Sequence, residues 1–406
     1  MTQLEEVSAE EADKAKEETE GISWTSRIVL IVLASTALAP LGVPFISPAL
    51  PVIRDVFSVT DATASLLVSA YFLVGILFSP FIGILEDRFG RRPVLGFSLI
   101  TFGVTGGLLM LVPSFWMILA IRFIQGTAAA GLFISTVTLI GDTFDGAQRN
   151  SVLGMNNAIL SITAAAFPIL GGILVTITWN TPFLVYLVAV PIGLAALKYV
   201  EEPVNNDTEN DKPGIRKTMG VLANREMIVP YGSAILGEIL LFGAILTTLP
   251  FYLSREYALE PVTIGIAVSL TSIASAIAAM GNGKVAEKLS NIRIIGFSFA
   301  LYGIGLAAFW LAPSLEWVII SAAVFGAGVG FTLPAIDSQI TNCIPEGFRG
   351  QALSIRNSAT FLGRTTGPIL FTAIALVIGY PLLLIGSGLV ALTIAGFLFV
   401  IPLLSK

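Results

Sequence analysis

Apolar residues in this chain fall into long runs separated by short polar segments. The runs 28–51, 66–85 and 94–112 are nearly free of charge and about 20 residues long, the length that a helix needs to cross roughly 30 Å of hydrocarbon. A β-barrel would show short alternating segments instead, and little alternation is present. The pattern therefore predicts an all-α integral membrane protein whose helices satisfy the backbone hydrogen bonds that lipid cannot.

Twelve predicted spans divide into two sets of six. The first six cover 28–52, 62–85, 93–112, 115–140, 151–177 and 182–200. The second six cover 227–253, 262–283, 292–312, 316–340, 351–378 and 381–404. A stretch rich in Asn, Asp, Lys and Pro separates the sets and is typical of a linker. We therefore predict a disordered acidic cytoplasmic tail, a first six-helix bundle, a cytoplasmic linker and a second six-helix bundle, at 1–26, 27–200, 201–226 and 227–406.

The two sets repeat each other at an offset of 200 positions. The segment Gly83–Arg92 follows the second span, and Gly283–Ile292 follows the eighth. The same offset pairs Pro113 with Pro313, Gly126 with Gly326, Arg149 with Arg349, Asn157 with Asn357 and Pro168 with Pro368. A parallel internal repeat in an apolar chain is typical of membrane transporters whose halves rock about a central site.

Composition supports this class. Of 406 residues, 55% are hydrophobic and 12% are charged, and the mean hydropathy is +0.87, so one soluble core could not bury the apolar surface. The net charge of −5 comes largely from seven glutamates between positions 5 and 20. That tail lacks the basic start and cleavage site of a signal peptide, so we expect it to stay attached.

Cysteine and histidine limit the chemistry. Cys343 is the single cysteine, which rules out an internal disulfide and gives no metal cluster. The chain has no histidine. A proton that is transported near neutral pH must therefore bind mainly to a carboxylate whose pKa is shifted. No paired-carboxylate, nucleophile or metal-ligand arrangement appears, so we predict neither an enzyme nor a bound metal or cofactor.

Basic residues predict the orientation. Cytoplasmic loops carry an excess of Lys and Arg, and with the amino terminus inside, only Arg54 and Arg255 fall outside. The residues that fall inside are Arg88, Arg91, Arg92, Arg149, Lys198, Lys212, Arg216, Lys217, Arg225, Lys284, Lys288, Arg293 and Arg349. We therefore predict a multi-pass protein of the plasma membrane with both termini cytoplasmic.

The loop between the second and third spans resembles the signature loop of the major facilitator superfamily. It holds the glycines, the acid and the arginines of that signature, at Gly83, Asp87, Arg88, Gly90, Arg91 and Arg92. The resemblance implies two six-helix bundles related by a pseudo-twofold axis along the membrane normal, with the first, fourth, seventh and tenth spans lining a shared cavity. It also implies that this loop latches the inner faces of the halves. Ordinary positive-inside anchoring is the alternative for Arg91 and Arg92.

A second resemblance lies in the fourth span. Arg122, Gln125 and Gly126 are similar to a motif of the superfamily's proton-driven exporters, in which the arginine lies near the cavity and assists proton transfer or binds a carboxylate. An arginine inside a helix costs several kcal/mol unless it faces water or a partner. We therefore expect Arg122 and Gln125 to line the cavity and Arg122 to take part in proton coupling; the alternative is that Arg122 snorkels or satisfies backbone carbonyls.

The first candidate for the coupling proton is Glu238, an acid deep in the seventh span. Arg364, near the middle of the eleventh span, could pair with it, and a permanent pair would make both residues structural. Asp337 is a weaker proton candidate, since an interfacial acid explains it equally well. We expect the substrate cavity to contain Arg122, Gln125, Glu238, Arg364, Asn157 and Asp337.

Two glycine–proline segments are predicted hinges. Pro168, Gly171 and Gly172 in the fifth span resemble the end of the superfamily's antiporter motif. Thr163 and Phe167 replace two of its glycines, which weakens the assignment to export. The corresponding positions of the eleventh span are Gly363, Gly367 and Pro368. Glycine with proline permits bending and close helix contact.

Together these features predict a secondary active transporter that exports small, mostly apolar compounds in exchange for protons. Sodium could replace the proton. The alternatives are a facilitator or symporter for a metabolite anion held by Arg122 and Arg364, and a membrane sensor that transports nothing. The predicted partners are a small-molecule substrate, the coupling ion and the lipid bilayer, without nucleic acid, and the protein is expected to be a monomer.

Overall fold

The computed structural model describes residues 23–202, 225–311 and 314–404. The predicted disorder of the acidic tail and of most of the linker falls on residues outside these ranges. Within them the chain is helical and has no strand. Eleven helices of the described ranges are long and apolar enough to cross a membrane, and a shorter apolar helix, Arg27–Leu41, precedes them. The predicted all-α membrane fold is confirmed.

Most observed helices begin and end within a few residues of the predicted spans. The second to sixth spans are Asp61–Phe89, Arg91–Leu108, Phe115–Thr143, Gly146–Val175 and, after the 3₁₀ segment Thr181–Val188, Ala189–Tyr199. The seventh span joins Ile228–Glu238, the π-helix Ile239–Thr248 and Leu249–Tyr257. The eighth to twelfth spans are Pro261–Ala286, Asn291–Leu311, Leu315–Cys343, Arg349–Ile378 and Tyr380–Leu404.

The first span is broken, so the prediction of one helix over 28–52 is wrong. The chain forms the helix Arg27–Leu38, turns, and resumes as Leu50–Phe57. The break contains prolines, which lack the N–H that an α-helical hydrogen bond requires, at Pro40, Pro44 and Pro48. Backbone carbonyls of the break therefore need partners from other spans.

Packing of the two halves follows the sequence repeat. Gly126 lies against the backbone carbonyl of Tyr71, and Gly326 lies against that of Thr271, so each contact recurs 200 positions later. Both sites leave no room for a Cβ atom, and small residues at such crossings let helices approach closely. Arg149 likewise donates to the carbonyl of Gly141 at 2.7 Å, and Arg349 donates to that of Thr341 at 3.1 Å. The repeated sequence therefore builds the same contacts twice.

The predicted hinge residues lie at close contacts between spans. A Cβ at Gly363 would lie 2.7 Å from the Cβ of Glu238, so this glycine lets the eleventh span approach the seventh. Gly172 packs on the carbonyl of Pro261, and Gly171 packs on that of Phe45. Both helices continue through their prolines, Pro168 and Pro368. Bending at these positions stays a prediction, for Pro168, Gly171, Gly172, Gly363, Gly367 and Pro368.

Hydrogen bonds join the halves at one side of the membrane. We call the span ends near Gly90, Asp145 and Ile344 the inner ends, on the side predicted to be cytoplasmic, and the opposite ends the outer ends. At the outer ends, the Tyr380 hydroxyl donates to the carboxylate of Asp61, which also binds Arg54 at 2.9 Å. This cross-half cluster is the outer contact.

Further bonds close the outer side. The Ser65 and Thr372 hydroxyls are hydrogen-bonded at 3.0 Å, and Ser47 donates to the carbonyl of Leu246 at 2.6 Å. At the inner ends, by contrast, a Cβ at Gly83 or its counterpart in the second half, Gly283, would meet no atom within 4 Å. The molecule is therefore closed at its outer ends and open at its inner ends.

Replacing Tyr380 with phenylalanine should favour an outward-open state. The change removes a bond between the halves that involves an ionised group, worth about 1.5–3 kcal/mol, so the open population should rise about tenfold or more. Electron–electron distance measurements between spin labels at Val56 and Glu256, in a Cys343→Ser background, would detect it.

Tyr231→Phe is the matched control, because the Tyr231 hydroxyl donates to the carbonyl of Ala352 within the second half. An unchanged distance distribution in Tyr380→Phe would mean that the outer contact does not hold the halves together.

Candidate substrate cavity and its charged pairs

A cavity of about 830 Å³ lies between the two halves, a volume within the range of drug-sized ligand sites. The four spans expected from family resemblance contribute to its wall, but the second, fifth, eighth and eleventh spans contribute as well. That expectation was therefore incomplete. Most of the wall is apolar, and Asn157 and Asn357 lie on opposite sides as counterparts in the repeat.

An ion pair lies deep in this cavity. Arg364 Nε is 3.0 Å from Glu238 Oε2, and Arg364 Nη2 is 3.1 Å from Glu238 Oε1. This bidentate geometry, with two parallel N–H···O hydrogen bonds, is the one that suits a planar guanidinium and a carboxylate. The Glu238 side chain is 6% exposed and the Arg364 side chain is 27% exposed. In this conformation the two predicted cavity residues therefore neutralise each other.

Aromatic rings surround the arginine of this pair. The guanidinium carbon of Arg364 lies 5.2 Å from the ring centre of Phe242, 5.5 Å from that of Phe361 and 5.7 Å from that of Phe72. These distances suit cation–π attraction. Phe72 belongs to the first half, whereas the other two rings belong to the second, so Arg364 lies where the halves meet.

A second ion pair lies nearer the inner ends. Arg356 Nε is 2.8 Å from Asp337 Oδ1, and Arg356 Nη2 donates to Asp337 Oδ2 at 3.0 Å. Arg356 was missed by the sequence analysis, although it is charged, lies inside the predicted eleventh span and precedes Arg364 by eight residues. That spacing corresponds to about 12 Å along a helix.

Arg122 and Gln125 are buried behind the cavity wall, so the prediction that they line the cavity is wrong for this conformation. Arg122 is 1% exposed and donates to the Gly42 carbonyl at 2.8 Å and to Gln125 Oε1 at 2.9 Å. Gly42 lies in the break of the first span, and Tyr186 donates to the neighbouring carbonyl of Leu41. The alternative interpretation, that Arg122 satisfies backbone carbonyls, fits this geometry.

The signature loop makes its described contacts within the first half. Arg91 Nε is 2.8 Å from Asp142 Oδ2, and Arg91 Nη2 is 3.5 Å from Asp87 Oδ1. Arg88 lies over the ring of Phe89. The open inner ends agree with a released latch, and the latch itself stays a prediction.

Glu202 supports this loop and was also missed. Its carboxylate accepts the backbone N–H groups of Arg91 at 2.5 Å and Arg92 at 3.1 Å, at the positive amino end of the third span. The acidic pair directly after the sixth span, Glu201 and Glu202, was the available signal.

A family model described as Major Facilitator Superfamily matches the chain twice, over residues 32–230 and 231–405. The chain belongs to this superfamily. The resemblance inferred from the signature loop is therefore confirmed, and the protein is a multi-pass membrane transporter rather than an enzyme.

Curated relatives of this superfamily member include an exporter and several resistance proteins. The Bacillibactin exporter of Bacillus subtilis (strain 168) is 28% identical, and the match covers 85% of this chain and 89% of the relative. The Tetracycline resistance protein, class C, of Escherichia coli is 25% identical, and the match covers 86% of this chain and 90% of the relative.

Solved structures agree on the fold. A bacterial homologue of the human lysosomal transporter Spinster, in an inward-facing and unoccupied conformation, has a TM-score of 0.78 at 15% identity, covering 93% of this chain and 97% of that chain. A D-xylose-proton symporter has a TM-score of 0.76 at 16% identity, covering 92% and 96%.

Proposed function

We propose that this transporter exports small, mostly apolar compounds across the plasma membrane in exchange for protons. The observation that carries the proposal is the Glu238–Arg364 pair deep in a largely apolar cavity that is open at the inner ends. With both termini cytoplasmic, as the basic loops predict, this cavity takes cargo from the cytoplasm. The relatives named as a bacillibactin exporter and as tetracycline resistance proteins support efflux as the direction.

Glu238 is the proposed proton carrier. Its carboxylate holds Arg364 when it is ionised, and protonation removes the charge that makes this bond. Exchange requires that proton and cargo bind in mutually exclusive ways and that each favours passage between the inward-open and outward-open states. One proton contributes about 1.4 kcal/mol per pH unit and about 2.3 kcal/mol per 100 mV for each net charge moved.

Proteoliposomes with an imposed pH gradient would test the exchange. A Glu238→Gln variant keeps the size of the side chain but loses the titratable group, so gradient-driven flux of an aromatic probe such as tetracycline should fall about tenfold or more. Exchange of labelled for unlabelled probe without a gradient should persist, because that process needs no proton.

Glu260→Gln, at an exposed position of the outer side, controls for the loss of an acidic residue. Undiminished gradient-driven flux in Glu238→Gln would rule out this carboxylate as the coupling group. A flux that is driven by a sodium gradient and not by a pH gradient would show that sodium is the coupling ion.

A carrier for metabolite anions is the second candidate. The observation in its favour is that the Arg364 side chain is more exposed to the cavity than Glu238, at 27% against 6%. Anion flux that is independent of the pH gradient, and that disappears in Arg364→Gln, would support anion transport over proton-coupled export.

A further inference from the structure

The charged residues that line the cavity occur in pairs. Among the described residues they are Glu238 with Arg364 and Asp337 with Arg356, all in the second half. A cargo that carries one charge therefore meets no free countercharge. To bind either member of the deep pair, it must compete with the other member.

Competition by a singly charged cargo leaves a charge behind. An acid that takes Arg364 leaves Glu238 as a buried carboxylate without its partner, which is strongly unfavourable. That carboxylate would then take up a proton, so acid and proton would travel together, which is the opposite of exchange. A cargo with only an amine has the converse problem, because it releases Arg364 from its acid.

A cargo that carries both groups avoids both costs. Arg364 uses Nε and Nη2 for Glu238, which leaves Nη1 outside that bond. An acidic group can bind this guanidinium while a neighbouring amine donates to the carboxylate of Glu238. Both protein charges then remain paired, and the aromatic faces of Phe72, Phe242 and Phe361 offer a site for a ring.

Resting on the exchange proposed above, we propose that the cargo is a small aromatic compound that is amphoteric, with an acidic group and an amine close together. It bridges Arg364 and Glu238, and its ring contacts the three phenylalanines. Because its donor keeps Glu238 ionised, its binding and protonation of Glu238 exclude each other. The class of cargo and the direction of proton flow thus follow from one ion pair.

Four probes that share an indole ring separate the charge types. Tryptophan carries both groups, N-acetyltryptophan only the acid, tryptophan amide only the amine, and N-acetyltryptophanamide neither. Calorimetry on the purified protein should give tryptophan about a tenfold or greater advantage over the other three. Glu238→Gln and Arg364→Gln should remove this advantage, and Glu260→Gln should retain it.

Preference for a singly charged or neutral probe, or failure of all four to bind, would overturn the proposed cargo class. Flux in proteoliposomes distinguishes this failure from failure of the proposed function. If tryptophan binds best but no probe is driven by a pH gradient, the exchange is wrong and the cargo class stands. If a gradient drives a probe of another charge type, the exchange stands and the cargo class falls.

Discussion

Replacing Arg364 with alanine is expected to abolish transport and to lower the free energy of unfolding by about 3–5 kcal/mol. The loss is large because the Glu238 carboxylate, 6% exposed, would lose in a buried site the partner that stabilises its charge. The cation–π contacts with the three phenylalanine rings would be lost as well. Thermal unfolding in detergent and probe flux in proteoliposomes measure the two effects separately.

The double variant Glu238→Gln/Arg364→Gln is the control for this prediction. It removes both charges, so most of the lost stability should return, whereas gradient-driven transport should stay absent because no titratable group remains at this site. Arg356→Ala provides a second comparison, since its partner Asp337 is 38% exposed against 6% for Glu238, so less stability should be lost when this pair is broken. An Arg364→Ala protein as stable as the native one would show that the deep pair contributes nothing to the fold.

Arg122→Leu is expected to destabilise the fold rather than to act on transport alone. The change leaves the buried carbonyl of Gly42 and the amide of Gln125 without their donor, at about 1–3 kcal/mol for each unsatisfied group. It also removes the cation that lies 5.2 Å from the ring centre of Tyr71. The yield of folded protein and its unfolding temperature should fall together.

Arg122→Lys separates structure from transport chemistry. Lysine keeps the charge but lacks the planar guanidinium group that donates to both the Gly42 carbonyl and Gln125 Oε1. Only part of the stability should therefore be retained. Transport per folded molecule should stay near the native rate in both variants. A stable Arg122→Leu protein that has lost proton-driven flux would instead support the role in proton coupling that the exporter motif implies for Arg122.

The sequence predicted the twelve-span plan because length and apolar character define a span, and because the repeat supplied a second copy of each contact. It failed at the first span, where Pro40, Pro44 and Pro48 interrupt a run whose apolar length suggested one helix. The role of Arg122 could not be predicted, since its main partner is a backbone carbonyl 80 residues away. No side-chain pattern marks such an acceptor.

The pairing of charges was only partly predictable. Glu238 and Arg364 were recognised as possible partners because few charges lie so deep in apolar runs. Arg356 and Asp337 lie nearer the ends of their spans, where a charge is also explained by the membrane interface. Which charges face each other depends on the rotation of each helix about its axis, and in spans bordered by both lipid and cavity apolar residues occupy every face.

The confinement of charge to the second half suggests how the two copies diverged. The first-half counterparts of Glu238, Asp337, Arg356 and Arg364, 200 positions earlier, are Leu38, Val137, Asn156 and Ala164, all uncharged. Three of these four also line the cavity, so the positions kept their place while losing or never acquiring charge. The two copies therefore differ in charge: the second half supplies the charged side chains of the cavity, and the first half supplies a neutral wall whose shape can change without altering that charge.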